Sequence, residues 1–285
     1  MAQTIGNPLS WTARNIGATG RHLAEATAEV GGEQDMAVPQ VRPITYADLG
    51  ESLHAGWQDF LASRADAVAA ILVYPAAGLL LAMAAMHMNL LHLLFPLLAG
   101  FAILGPVAAV GLYEISRRRE AGEDVNWLAA FGVIQSPAFG AIVVLGLYLA
   151  ALFGCWMLVA YGLYQVTLGP EQPTSVASFA SDVLTTGPGW TMVILGVAIG
   201  FFFALAALVA SAVSFPLLLD RHVGVPMAVV TSARVFRTSP GPVLAWGAIV
   251  AVGLVVGAIP FLLGLIVILP VLGHATWHLY RRAVA

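Results

Sequence analysis

The chain has no lysine, a single cysteine, and acidic or basic side chains at only 9% of its 285 positions. One thiol, Cys155, excludes a disulfide framework and a cysteine-based metal cluster; lying in an apolar run, it is expected to be a buried structural thiol. A net charge of -3, with no basic stripe interleaved with aromatics, argues against a nucleic-acid partner. There is no Gly-x-Ser-x-Gly, His-Glu-x-x-His, Walker loop or dinucleotide fingerprint, so no standard enzyme class is indicated. Residues 1–42 lack the basic start and compact apolar run of a signal peptide. They mix Gly, Ala, Thr and acids around Pro39 and Pro43 and read as a poorly ordered cytoplasmic tail.

What is abundant is apolar sequence. A hydrophobic content of 60% and a mean hydropathy of +0.88 describe a polytopic membrane protein with room for about six spans of roughly 20 residues. All twelve basic residues are arginines: Arg14, Arg21, Arg42, Arg64, Arg117, Arg118, Arg119, Arg221, Arg234, Arg237, Arg281 and Arg282. Short Arg-rich loops stay cytoplasmic. Charge-free stretches between the groups give spans at about 68–86, 90–113, 137–165, 190–219, 241–258 and 261–280. The last stretch, 238–280, would make a helix about 65 Å long, twice the hydrocarbon core, and must fold back; residues 257–260 are the natural turn. The expected fold is therefore all-α: six transmembrane helices as three hairpins, both termini cytoplasmic, every Arg on that side.

Each hairpin is preceded by an amphipathic segment expected to lie at the membrane interface. Over residues 43–66, Thr45 to Asp48 has the form of a capping box, and Leu49, Leu53, Trp57, Phe60 and Leu61 form an apolar stripe with Trp57 at headgroup depth. The second segment runs from Asp124 to Phe131, and the third follows Pro226. The pattern reads as a degenerate threefold repeat, with chance similarity of apolar sequence as its rival. Small residues four apart (Gly146-Ala150-Gly154, Gly196-Gly200-Ala204, Gly253-Gly257) permit close helix packing.

Ser211-Ala-Val-Ser-Phe-Pro-Leu-Leu-Leu-Asp220-Arg221 and Gly273-His-Ala-Thr-Trp-His278-Leu-Tyr-Arg-Arg282 are a recognisable pair. With Gly105-Pro106 and Gly111-Leu-Tyr-Glu114, they make residues 42–282 resemble the bacterial integral membrane proteins grouped as domain of unknown function 2189. The resemblance implies a bacterial inner-membrane protein of this topology and carries over no functional residue.

The residues with most chemical potential gather at the arginine-rich end. His274 and His278, at i and i+4, share a helix face and can share a metal or, less readily, help hold a haem. Glu114, Asp220 and His222 reach the same level, and ionisable groups there usually face the bundle or an aqueous pocket. The rival reading makes the histidines partners of helix ends and headgroups, Trp277 and Tyr280 belt residues, and the two acids salt-bridged anchors beside Arg117 and Arg221. A second cluster, Met83, Met86, His87, Met88 and His92, sits at the outer end of the first hairpin. Its thioether and imidazole groups suit Cu(I), although methionine is also an ordinary apolar filler. No span carries an acid or Arg near its midpoint, which counts against an ion-coupled transporter. The leading expectation is a non-catalytic accessory or scaffold protein packing against lipids and a membrane-protein partner or second copy. A carrier of apolar or lipid-like solutes comes next, then a metal- or haem-binding protein. No cofactor is expected.

Overall fold

The computed structural model describes residues 31, 38–62, 73–87, 90–123, 125–171, 173, 175–260 and 262–285. They form helices and an isolated bridge between Val41 and Val284. In order the helices are α1 (Tyr46–Ala62), α2 (Val73–His87), α3 (Leu94–Phe101), α4 (Gly105–Ala108), α5 (Val110–Glu120), α6 (Phe139–Thr167), α7 (Val176–Thr185), α8 (Gly187–Ser211), α9 (Ser214–Asp220), α10 (Gly224–Thr238), α11 (Pro240–Ala258) and α12 (Leu265–Ala283).

Among the described residues, four stretches are long and apolar enough to cross a membrane: Leu91–Glu120, Phe139–Thr167, Gly187–Asp220 and Pro240–Ala258. They expose large apolar side chains outward, among them Leu147, Leu158, Ile194, Phe202 and Val255, as helices apolar all round do in lipid. The first and last of the six expected spans are not among the four. The described part of the first is α2, with 15 residues, and residues 68–72 lie outside the described residues. The last is α12, whose second half carries His274, His278, Arg281 and Arg282 and is enclosed by protein.

Two of the four are interrupted at proline. Pro106 has no N–H to return to the Ala102 carbonyl, and Leu91–Glu120 passes through 3-10 geometry at Ala102–Leu104. Pro216 stands in the same relation to Ala212, where α8 gives way to α9. Between α11 and α12 the chain turns over residues 259–264, and Gly257 meets Gly264 so closely that a Cβ on Gly264 would lie 2.8 Å from the Gly257 Cα. The small residues elsewhere divide: Gly196 and Gly200 face Leu163 and Trp156 of α6, whereas Gly154 faces open space. Cys155 is exposed on α6, not buried as expected.

The N-terminal helix departs most from expectation. Its capping box forms, with the Thr45 N–H donating to Asp48 Oδ2 at 2.7 Å and the Asp48 N–H to Thr45 Oγ1 at 3.4 Å. Its buried residues, however, are Leu49, Ser52, Gly56 and Asp59, a mostly small and polar stripe along α12. Of the apolar stripe only Leu49 is buried; Leu53 and Phe60 are half-buried, and Trp57 is 42% and Leu61 63% exposed. The helices approach until a Cβ on Gly56 would lie 2.6 Å from the Ala275 nitrogen and 2.7 Å from the Val271 oxygen. The pairing continues beyond α1: the Arg42 N–H donates to the Ala283 carbonyl at 2.8 Å and the Ala285 N–H to the Gln40 carbonyl at 2.9 Å. Residues 40–42 are thus held by the far end of the chain, inside what was expected to be a tail. The segments preceding the three expected hairpins are also unequal: α1 has 17 residues, the second is a nine-residue 3-10 helix (Trp127–Gln135), and α10 has 15.

Candidate functional site

At the arginine-rich end, α1, α5 and α12 converge on Asp59. Ser116 Oγ of α5 donates to Asp59 Oδ2 at 2.6 Å. Its proton so used, the hydroxyl oxygen accepts from His274 Nδ1 at 2.8 Å, which places the ring proton of His274 on Nδ1. His278 Nε2 donates to the same Oδ2 at 3.0 Å. Arg119 approaches Oδ1 at 3.2 Å and also donates to the Asp59 carbonyl at 2.9 Å. The acid is 8% exposed and His274 1%. Burial favours the neutral acid at Asp59. Hydrogen bonds from His278 and Ser116 and the nearby His274 and His278 rings outweigh it and hold the carboxyl below its ordinary value.

Around this centre run further ion pairs. Glu114, buried on α5, accepts from Arg117 at 2.8 and 2.9 Å and from Arg118. Glu120 binds Trp277 Nε1 at 2.9 Å and Arg281 Nε at 3.0 Å. Asp220, ending α9, accepts from the Tyr280 hydroxyl at 2.6 Å and Arg281 at 3.4 Å, while Arg221 donates to the Ala285 carbonyl at 2.8 Å. Arg282 reaches Asp48 at 3.3 Å and Glu51 at 2.7 Å on α1.

The sequence candidates thus separate. His274 and His278 are brought together, by Asp59. Glu114 and Asp220 each have their own partners, and His222 is exposed on the turn after Asp220. Sequence reasoning missed Asp59, Ser116, Arg119 and Glu120. Trp277 and Tyr280, read as belt residues, are buried donors to carboxylates. Among the described residues no group of three or more His, Cys, Asp or Glu side chains is placed to hold a metal ion. Ser116, His274 and His278 bond with Asp59 or with one another across α1, α5 and α12. The geometry is that of a clamp joining three helices.

At the opposite end, Met83 and Met86 are exposed on α2, whereas His92 is buried and stacked on Tyr164, ring centroids 4.1 Å apart. Both His92 ring nitrogens lack a hydrogen-bond partner among the described residues. Met88 and the His87 side chain lie outside the described residues.

The motifs that carried the family resemblance meet at the clamp. Gly273 packs against Leu112, where a Cβ would lie 2.5 Å from the leucine methyl carbon, and Tyr280 bonds Asp220. Residues 94–220 match the family model described as predicted integral membrane protein (DUF2189). The segment contains Gly105-Pro106, Gly111 to Glu114 and Ser211 to Asp220; Gly273 to Arg282 lies outside it and packs onto it. No curated protein and no solved structure matches the chain.

Proposed function

From residues 94–220, which belong to this family of predicted integral membrane proteins, we propose that the protein is a non-catalytic, multi-pass accessory or scaffold protein of a bacterial inner membrane. The observation that carries the reading is how the rim uses its reactive groups. Asp59, Glu114, Glu120 and Asp220 are all engaged by arginine, histidine, serine, tryptophan or tyrosine from the chain itself. Asp59, Glu120 and Asp220 are thereby tied to other helices, while Glu114 is paired within α5; a site for substrate would keep donors or acceptors open. The outward faces of the spans, by contrast, offer apolar surface to lipid, a membrane-protein partner or a second copy.

In this reading the chain crosses the membrane six times, α12 entering with its apolar first half. Both termini are cytoplasmic. Alkaline phosphatase fused after Thr174 is expected to be active, and fused after Arg119 or Arg237 inactive; the reverse pattern overturns the orientation. The functional test is purification of the full chain in mild detergent, with mass spectrometry of copurifying proteins and elemental analysis of the same sample. A reproducible membrane-protein partner or stable oligomer is expected. Neither of these, together with saturable solute flux in liposomes, would make the protein a carrier. A stoichiometric metal lost on His274→Ala substitution would make the clamp a metal centre.

A further inference from the structure

The rim arginines fall into two sets. Arg117, Arg118, Arg119, Arg221, Arg281 and Arg282 each face a carboxylate of the chain. Arg234 and Arg237 are exposed on α10 and have no acidic partner among the described residues. Helix α10 contains no acidic residue, so nothing within the helix offsets its positive charge. Its buried face is Gly224, Ala228, Thr231, Ser232 and Val235. Pro226, Val230, Arg234 and Arg237 form the opposite, exposed face, at the i, i+4, i+8 and i+11 spacing of a single stripe.

A separate observation lies beside this helix. An apolar groove of about 410 Å³ opens between α6, α8 and α10, lined by Tyr148, Phe202, Leu205, Val209 and Val229 among others. Phe202, Leu205 and Val209 follow one stripe of α8, so the groove runs about 11 Å along that helix. It begins at α10 and extends away from the arginine-rich end, towards the middle of the span. Such a recess accepts a hydrocarbon chain lying parallel to the spans. Arg234 and Arg237 lie five and eight residues beyond Val229 on α10, about 8 and 12 Å further along the helix, and guanidinium forks match phosphate oxygens.

We propose that α10 and this groove form a binding site for one anionic phospholipid, its phosphate held by Arg234 and Arg237 and an acyl chain held against α8. The inference rests on the membrane reading above and names the lipid partner. Two kinds of arginine are thereby distinguished, since the first set is paired with acids of the chain and those of α10 hold lipid.

The test uses the full chain in mild detergent and measures binding by native mass spectrometry with two added lipids of identical acyl chains, phosphatidylglycerol and phosphatidylcholine. Inorganic phosphate serves as a free-anion control. Phosphatidylglycerol is expected to bind in preference to phosphatidylcholine, and excess phosphate is expected not to displace it. The double variant Arg234→Gln/Arg237→Gln is expected to bind phosphatidylglycerol about 30-fold more weakly, with phosphatidylcholine binding unchanged. Ala206→Phe, which fills the groove without touching the charge, is expected to weaken both lipids. All these side chains are on the outer surface, and melting without added lipid shows that the variants remain folded. Equal binding of the two lipids, displacement by phosphate, or undiminished binding by the double variant overturns the proposal. Any of these with copurifying partners intact leaves the scaffold reading standing; flux without partners, with selective lipid binding, removes only the scaffold reading.

Discussion

Asp59→Ala is expected to cost about 3 kcal/mol of stability, the low end of the range for removing one member of a buried charged group. The substitution strips Ser116, His278 and Arg119 of their shared acceptor and leaves His274 bonded to a hydroxyl that has lost its own partner. The low end applies because Arg119 is 32% exposed and His278 24%, so water replaces part of what each loses. Thermal unfolding in mild detergent at neutral pH measures the effect, and an unchanged midpoint would remove Asp59 from the centre of the rim. Asp59→Asn, which keeps the shape, separates charge from packing through its pH dependence. Because the folded-state carboxyl is depressed from its ordinary 3.8, its stabilisation is complete at pH values above about 4. That contribution is lost as pH falls through the folded value. The stability gap between wild type and Asp59→Asn is therefore expected to be constant from pH 7 to 5 and to narrow in stronger acid. A gap that narrowed near pH 6 would assign the dependence to the histidines.

Gly56→Ala is expected to be nearly as damaging, for a steric reason. The added carbon would meet the Ala275 nitrogen and the Val271 oxygen at 2.6 and 2.7 Å, and backbone atoms cannot rotate aside. Helix α1 must lift from α12, at an overpacking cost of about 1–3 kcal/mol. Lifting should also loosen the paired residues 40–42, so the Arg42 N–H, bonded to the Ala283 carbonyl, is expected to exchange with solvent deuterium at least about tenfold faster, since each 1.4 kcal/mol is tenfold in an opening equilibrium. Gly50 is the control within the same helix. It is exposed with no heavy atom within 4 Å of an added Cβ, and Gly50→Ala is expected to stabilise by about 0.5–1 kcal/mol through reduced backbone entropy. Substitutions of opposite sign six residues apart test whether the face of α1 has been correctly assigned; equal effects would show that it has not.

The large features of the fold were legible because lipid imposes them. Long apolar runs, the capping box at Thr45 and the turn near Gly257 depend on local chemistry, and residues 94–220 had enough character to match a family model. The clamp was not legible, because its meaning lies in pairing across the chain. Ser52, Gly56 and Asp59 on an amphipathic helix look like a solvated face until α12 is placed against them. The same ambiguity hid Trp277 and Tyr280, whose composition suits a membrane belt but whose polar atoms reach Glu120 and Asp220. Arg117 beside Glu114 was readable at i, i+3. Arg119 beside Asp59, 60 residues away, was not. The proline breaks at Pro106 and Pro216 could have been anticipated from missing N–H groups, but an apolar run conceals them when spans are counted by length alone.

The antiparallel seating of α1 on α12 also sets an order of events during biosynthesis. About 200 residues separate the two helices, so at roughly 5–20 residues per second α1 emerges about 10–40 s before the surface that receives it. During that interval its apolar stripe can rest on the bilayer, while Ser52 and Asp59 remain hydrated. Completion of α12 then recruits α1, as a latch closed by an element made long after it. Chains truncated before Leu265 are accordingly expected to leave α1 open to protease, and chains through Ala285 released from the ribosome to protect it. Protection already present in the shorter chains would mean that α1 first docks elsewhere.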